Sequence, residues 1–212
     1  MDLTDQRQTY QKHTLPDDGL PNSPFELFRA WFDEAIADDL PEPYAMSLAT
    51  CGADMRPSVR IVLMRELTDK GVVFYTNYQS AKGQDIDDNP NAEVMFFWQA
   101  HERQVRLSGR IVKIDAEKSA AYFAKRPRES QLGAWVSQPQ SGVVASRAVM
   151  EKAYQDYDSE FGEQVPYPSF WGGYELIIEQ AEFWQGRVGR MHDRMVYRLD
   201  DGQNWQRERI LP

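Results

Sequence analysis

The chain has 212 residues, 42% of them apolar and 12% aromatic, and carries a net charge of −9. That composition fits a globular protein large enough to bury a core and excludes a disordered chain. The acidic balance argues against nucleic-acid binding through bulk electrostatics.

One cysteine, Cys51, excludes an internal disulfide and a multi-cysteine metal site. His13, His101 and His192 lie far apart with no ligand spacing, so no metal is expected. No apolar run reaches the roughly 18 residues of a membrane helix. The start, Met1-Asp2-Leu3-Thr4-Asp5-Gln6, lacks a basic region followed by an apolar core. The expectation is a cytoplasmic protein with no membrane partner. Binding of small anions then requires cations gathered locally against the global charge.

Residues 1–22 are polar, contain Pro16, Gly19 and Pro21, and read as an arm, at most weakly helical around residues 7–12. Residues 23–212 are expected to form a single unit. Ser23-Pro24-Phe25-Glu26 reads as a capping box with Pro at the first helical position. Phe25, Phe28, Trp31, Phe32, Ala35 and Ile36 then recur at helical spacing, and Pro41 and Pro43 end the helix. From Tyr44 the period changes. Residues 45–50, 57–66 and 72–76 read as three strands joined by turns at 51–54 and 69–71, an antiparallel meander. Residues 81–88 suit a short helix, and 92–99 with 103–114 a hairpin. Residues 115–126 suit a helix capped by Asp115, 128–136 a second one, and 146–161 a third. Residues 174–178 begin the last sheet segment, and Gly202 turns the chain into a final strand at 205–210. Many close strands with few helices between them predict a mostly β, α+β fold, a barrel rather than a doubly wound sheet.

No glycine-rich phosphate loop is present, so any phosphate must be held by side chains, for which the planar fork of Arg is best suited. Arg60 and Arg65 bracket the apolar run Ile61-Val62-Leu63-Met64; five apart on a strand, they point to opposite faces. Charges there can also mark strand ends reaching solvent. In Tyr75-Thr76-Asn77-Tyr78-Gln79-Ser80-Ala81-Lys82 a strand runs into a helix N-terminus, which offers N–H donors to an anion. Tyr122, Arg126 and Ser130 recur every four residues, although Pro127 breaks a helix spanning them. Near the end, Phe183-Trp184 read as strand, Gly186 and Gly189 as turn, and Met195-Val196-Tyr197 as strand again. Arg190, His192 and Arg194 then fall at i, i+2 and i+4 on one strand face. That cationic face needs either surface carboxylates or an anionic or π-rich ligand against it.

Glu182-Phe183-Trp184-Gln185-Gly186 followed by Arg190-Met191-His192-Asp193-Arg194 resembles the C-terminal signature of the pyridoxine (pyridoxamine) 5′-phosphate oxidases. Arg60 to Arg65, Phe74 to Lys82, and Tyr122 to Trp135 are similar to further motifs of that family, in the same order. The resemblance implies a split β-barrel, an FMN cofactor and a homodimer with sites at the interface. It implies oxidation of pyridoxamine or pyridoxine 5′-phosphate to pyridoxal 5′-phosphate, with O₂ reduced to H₂O₂. It assigns FMN contacts to Arg60, Ile61, Val62, Leu63, Met64, Arg65, Tyr75, Thr76, Lys82, Gln104, Trp184 and Arg194. Gln140 and Ser141 match a loop that reaches the FMN of the partner subunit. Substrate contacts fall to Arg7, Tyr10, Arg65, Tyr122, Arg126, Ser130, Arg190 and His192, the last two at the reacting ring.

The chain departs from the family pattern in four places. Arg65 stands for Lys, Ala81 for Arg and Met191 for Leu, and Pro139 is a one-residue insertion. The alternatives are a non-catalytic FMN- or pyridoxal-phosphate-binding protein with this barrel, or a related flavin reductase.

Overall fold

The computed structural model describes every residue except Arg7, Gly202 and Gln203, so the expected turn at Gly202 lies outside the described residues. Helix α1 (Pro24–Ala37) buries Leu27, Phe28, Trp31 and Ala35 on one stripe, as their spacing demands. Two details differ from expectation. The Ser23 hydroxyl accepts from the N–H of Phe25 rather than of Glu26, so the capping box is not made. Ile36 points to solvent, and the helix stops at Asp38 and the left-handed Asp39, before either proline.

Among the described residues, nine antiparallel strands then form one sheet: β1 (Ala45–Cys51), β2 (Pro57–Leu63), β3 (Glu66–Leu67), β4 (Gly71–Asn77), β5 (Asn91–Trp98), β6 (Arg103–Lys113), β7 (Trp171–Gln185), β8 (Asp193–Asp200) and β9 (Asn204–Arg209). The order is β2-β1-β5-β6-β7-β4-β3, with β8 beside β7 and β9 beside β8. The long β7 explains the branching. Its first half, from Trp171 to Ile177, pairs with β4; its second half, from Gln180 to Gln185, pairs with β8. Strand β6 runs alongside nearly all of it, with a register shift at Ser108/Gly109. Only glycine fits at that shift, because a Cβ on Gly109 would lie 1.9 Å from the carbonyl oxygen of Ile177.

The expected meander holds for β1 and β2 but not for β4, which lies at the opposite edge beside β7 and β3. At Met64 the chain leaves the β2 ladder. The Met64 N–H bonds to the carbonyl of Tyr44 and the Arg65 N–H to that of Val73, drawing the two edges together. The sheet thereby curls into the expected split barrel, around a core that includes Phe74, Phe96, Phe183 and Tyr197, all with no more than 1% exposure on the side chains' residues.

The helices lie outside the sheet. Helix α2 (Ala81–Asp88) is capped by Ser80, and α3 (Ala116–Lys125) by Asp115, which accepts from Glu117 and Lys118 N–H. Pro127 separates α3 from α4 (Arg128–Val136), as expected. With α5 (Arg147–Glu160), these pack a second apolar cluster around Phe123, Leu132 and Trp171. The described residues of the N-terminal arm form no helix or strand. Leu15 nonetheless enters the main core, and Arg209 holds its carbonyl at 2.6 Å.

Candidate functional site

A cavity of about 380 Å³ opens where β2, β4, the start of α2, the end of α3 and the start of β7 converge. Its lining includes Arg60, Arg65, Lys82 and Arg126 and no Asp or Glu among the described residues. In a chain of net charge −9, four cations on one wall form a strong local departure from the mean field. Each cation is aimed differently. Arg60 donates to the Leu48 carbonyl at 3.1 Å and to the Thr50 hydroxyl at 2.6 Å, and also to the Ser58 hydroxyl. Asp85 on α2 accepts from both of those hydroxyls and lies 3.7 Å from the guanidinium. Lys82 Nζ reaches Thr76 Oγ1 at 3.2 Å and Ser80 Oγ at 3.3 Å. Burial pushes the pKa of Lys82 down, with Arg60 adding repulsion.

Arg126 is the cation most dependent on its surroundings. It ends α3, over the faces of Trp171 at 4.6 Å and Phe123 at 5.6 Å. Its Nη1 is buried with no hydrogen-bond partner among the described residues. A guanidinium held by π faces keeps its donors free for a ligand. Desolvation lowers its pKa, Tyr122 raises it and Arg65 lowers it further. Trp171 also stacks on Tyr75 at 5.5 Å, and Tyr75 on Tyr122 at 3.9 Å. Burial raises the Tyr75 phenol to about 12, so it remains a hydrogen-bond donor at neutral pH.

A second group forms where β7 ends. Trp184 packs at 4.7 Å from the His192 ring, and Tyr10 of the arm meets both rings edge-on at 5.7 and 5.9 Å. Gln104, Trp184 and Arg194 face one another in register across β6, β7 and β8. Arg194 is held by the buried Glu182 at 2.7 Å, which also meets Arg106 at 3.4 Å.

His192 Nδ1 accepts the backbone N–H of Arg187 at 3.1 Å, which leaves the neutral ring with its proton on Nε2. Desolvation pushes the pKa of His192 below 6.5; Arg190 adds to this and Asp193 opposes it. A lowered pKa favours the neutral ring. A step that needs neutral His192 is therefore expected to persist as pH falls through 6.5 and to fail only below it. An NMR titration of the His192 ring with its midpoint at or above 6.5 would disprove this.

Sequence profiles identify the lineage. The profile described as "Pyridoxamine 5′-phosphate oxidase" matches residues 32–159, and "Pyridoxine 5′-phosphate oxidase C-terminal dimerisation region" matches residues 171–212. The chain belongs to the pyridoxine/pyridoxamine 5′-phosphate oxidase family. A relative of that name from Psychrobacter arcticus is 61% identical over 214 residues, covering 100% of this chain and 99% of that one. The Cupriavidus taiwanensis relative is 49% identical over 210 residues, with 99% of each covered. Among solved structures, PhzG from Burkholderia lata, in complex with tetrahydrophenazine-1-carboxylic acid, superposes with a TM-score of 0.88. It is 26% identical, with 94% of this chain and 98% of that one covered. A pyridoxamine 5′-phosphate oxidase-related, FMN-binding protein from Nostoc punctiforme superposes at 0.71 with 19% identity, covering 91% and 100%, and supports the fold.

Most of the residues matched to the oxidase family fall into the two groups just described. Arg60, Ile61, Val62, Leu63, Arg65, Tyr75, Thr76, Lys82, Tyr122, Arg126 and Gln140 line the cavity. Tyr10, Gln104, Trp184, His192 and Arg194 lie outside its lining, at the end of β7 and in the rows beside it. Arg7 lies outside the described residues. Three expectations need correction. Arg60 and Arg65 do not point apart: β2 ends at Leu63, so strand alternation no longer governs Arg65, and both reach one cavity. Met64 is buried in the core and does not line that cavity. Arg190, His192 and Arg194 do not share a strand face. Gly189 and Arg190 are both left-handed, at φ 68° and 63°, and form a 3-10 turn, so only Arg194 lies on β8.

Ser130, in the first turn of α4, is outside the cavity lining. Gln140 Oε1 lies 3.5 Å from Lys82 Nζ, and the Ser141 hydroxyl accepts from Ala81 N–H at 3.3 Å, so this loop meets its own chain's α2. Trp171, Asn77 and Asp85 were not anticipated from the sequence. Trp171 carried a signal, an aromatic residue opening a strand after a proline-rich stretch, but its partners are remote in sequence.

Proposed function

We propose that the protein is an FMN-dependent oxidase converting pyridoxamine or pyridoxine 5′-phosphate to pyridoxal 5′-phosphate, with O₂ reduced to H₂O₂. It acts as a cytoplasmic homodimer with sites at the interface. The observation that carries this reading is the cavity lined, among the described residues, by four cations and no carboxylate, one of them Arg126, whose buried Nη1 has no partner among those residues. The donor set fits two phosphorylated ring compounds. Arg60, Lys82, Thr76 and Tyr75, with Gln140 and Ser141, would hold the cofactor, and Arg65, Tyr122 and Arg126 the substrate phosphate. Bound FMN supplies a flavin ring that accepts a hydride equivalent from the substrate.

The chain's own contribution is positioning. Gln104 offers an amide donor and acceptor, and Trp184 and Arg194 extend the same row, with Ile61, Val62 and Leu63 shaping the wall. His192 donates from Nε2 to the substrate ring. Arg190 presents its guanidinium there. Tyr10 closes over the ring and excludes water. The exposed apolar Val59, Ile61 and Phe97, together with a C-terminal segment matched as a dimerisation region, support a second copy of the chain as partner.

Purified protein is expected to be yellow and to release H₂O₂ from pyridoxamine 5′-phosphate. Arg190→Ala should lower turnover by about tenfold or more with flavin retained. A colourless protein that releases no H₂O₂ when supplied with FMN would overturn the assignment, and unchanged turnover in Arg190→Ala would remove that residue's role.

A further inference from the structure

Glu102 is a buried carboxylate that the sequence motifs leave without a task. It follows the 3-10 turn Gln99–His101, joins β5 to β6, and sits in the left-handed region at φ 55°. That conformation is uncommon for a side chain of its size and marks a position held by its surroundings. Its Oε2 accepts two successive backbone N–H groups of the N-terminal arm, Gln11 at 2.8 Å and Lys12 at 2.9 Å. Its own carbonyl accepts the Gly186 N–H at 2.8 Å and Gln185 Nε2 at 3.2 Å. One residue therefore ties the arm to the end of β7, just beyond Trp184.

The surrounding contacts agree. Lys12 Nζ donates to the Ala100 carbonyl at 2.6 Å, and Arg187 Nη1 to that of His13 at 3.3 Å. The arm passes so close to the body that a Cβ on Gly186 would lie 2.8 Å from Tyr10 Cβ and Cγ. Tyr10, one residue before the doubly held N–H pair, meets Trp184 and His192 edge-on. Charge-assisted bonds from two backbone donors to one carboxylate fix a segment that has no secondary structure to fix it.

We propose that Glu102 is a positioning residue for the reaction: it clamps residues 10–12 so that Tyr10 forms one wall of the Trp184–His192 surface against which the phosphorylated pyridine docks. This rests on the function proposed above. Without the clamp the arm pays back its ordering entropy at each binding event, and substrate affinity falls while the chemical step does not.

Three variants test it. Glu102→Ala removes the acceptor, and Gln11→Pro removes one donor from the arm without touching the body. Glu102→Gln keeps an oxygen acceptor and should restore most of the wild-type behaviour. In Glu102→Ala and Gln11→Pro, trypsin cleavage at Lys12–His13 of the native holoprotein should accelerate by about tenfold. The KM for pyridoxamine 5′-phosphate should rise by about tenfold, with kcat changed by less than about twofold. Cleavage and KM at wild-type values in both variants would overturn the proposal. Faster cleavage with an unchanged KM, or kcat and thermal stability falling together in Glu102→Ala while Gln11→Pro stays silent, would do the same. If the wild-type protein oxidises no pyridoxamine 5′-phosphate, the function itself is wrong; the proteolysis rates then still report whether Glu102 holds the arm.

Discussion

Replacing Arg126 by alanine is expected to raise the KM for pyridoxamine 5′-phosphate by about 10²- to 10³-fold, with FMN still bound. Charge-assisted hydrogen bonds contribute about 1.5–3 kcal/mol each, and a guanidinium engages a phosphate through two. Arg65 and Tyr122 line the same cavity, but Arg126 is the cation held over two π faces, and its buried Nη1 has no hydrogen-bond partner among the described residues. The same change should do little to the ligand-free protein. It removes cation–π contacts with Trp171 and Phe123, worth about 0.5–2 kcal/mol, but also relieves the burial of a cation with no carboxylate partner. Steady-state kinetics beside thermal melts of the apoprotein separate the two effects. A KM within about threefold of wild type would show that the substrate phosphate binds elsewhere.

Phe183→Ala is expected to destabilise the fold by about 3–5 kcal/mol, the range for truncating a large aromatic in a packed core. Phe183 has 0% exposure and joins three elements, packing edge-on to Trp31 of α1 at 5.3 Å and to Tyr197 of β8 at 5.7 Å. Those rings are themselves buried, so the site cannot collapse cheaply around the lost volume. Its neighbour Trp184 points to the other face of β7, so the loss should also loosen the row that holds Gln104 and Arg194. Denaturant unfolding followed by tryptophan fluorescence would measure the change. A loss below about 1 kcal/mol would mean that this core is far less tightly packed than the contacts imply.

Local chemistry made much of the architecture legible. The caps Ser80 and Asp115 and the break at Pro127 bound α2, α3 and α4 at nearly the expected residues, because capping and proline effects act over one turn of chain. The β1–β2 hairpin was legible for the same reason. The path of β4 was not, since its partner β7 lies about a hundred residues downstream, and strand pairing over that distance leaves no mark on local pattern. Alternation also misled wherever a strand ended early. It set Arg60 and Arg65 on opposite faces although the chain bends at Met64, and it aligned Arg190 with His192 although Arg190 and the Gly189 before it are both left-handed.

By itself the sequence determined which residue types were available and roughly where each strand and helix ran: scarce cations, stacked aromatics, a polar arm. Only the tertiary structure decided which of them meet. It put Arg126 on the face of Trp171, gathered four cations from separate elements around one cavity, and set Glu102 under an arm 91 residues away in the chain. The physical reason is that helices and turns are stabilised by neighbours in the chain, whereas a binding site is made by curling a sheet, and the contacts that curl it are those between its distant edges.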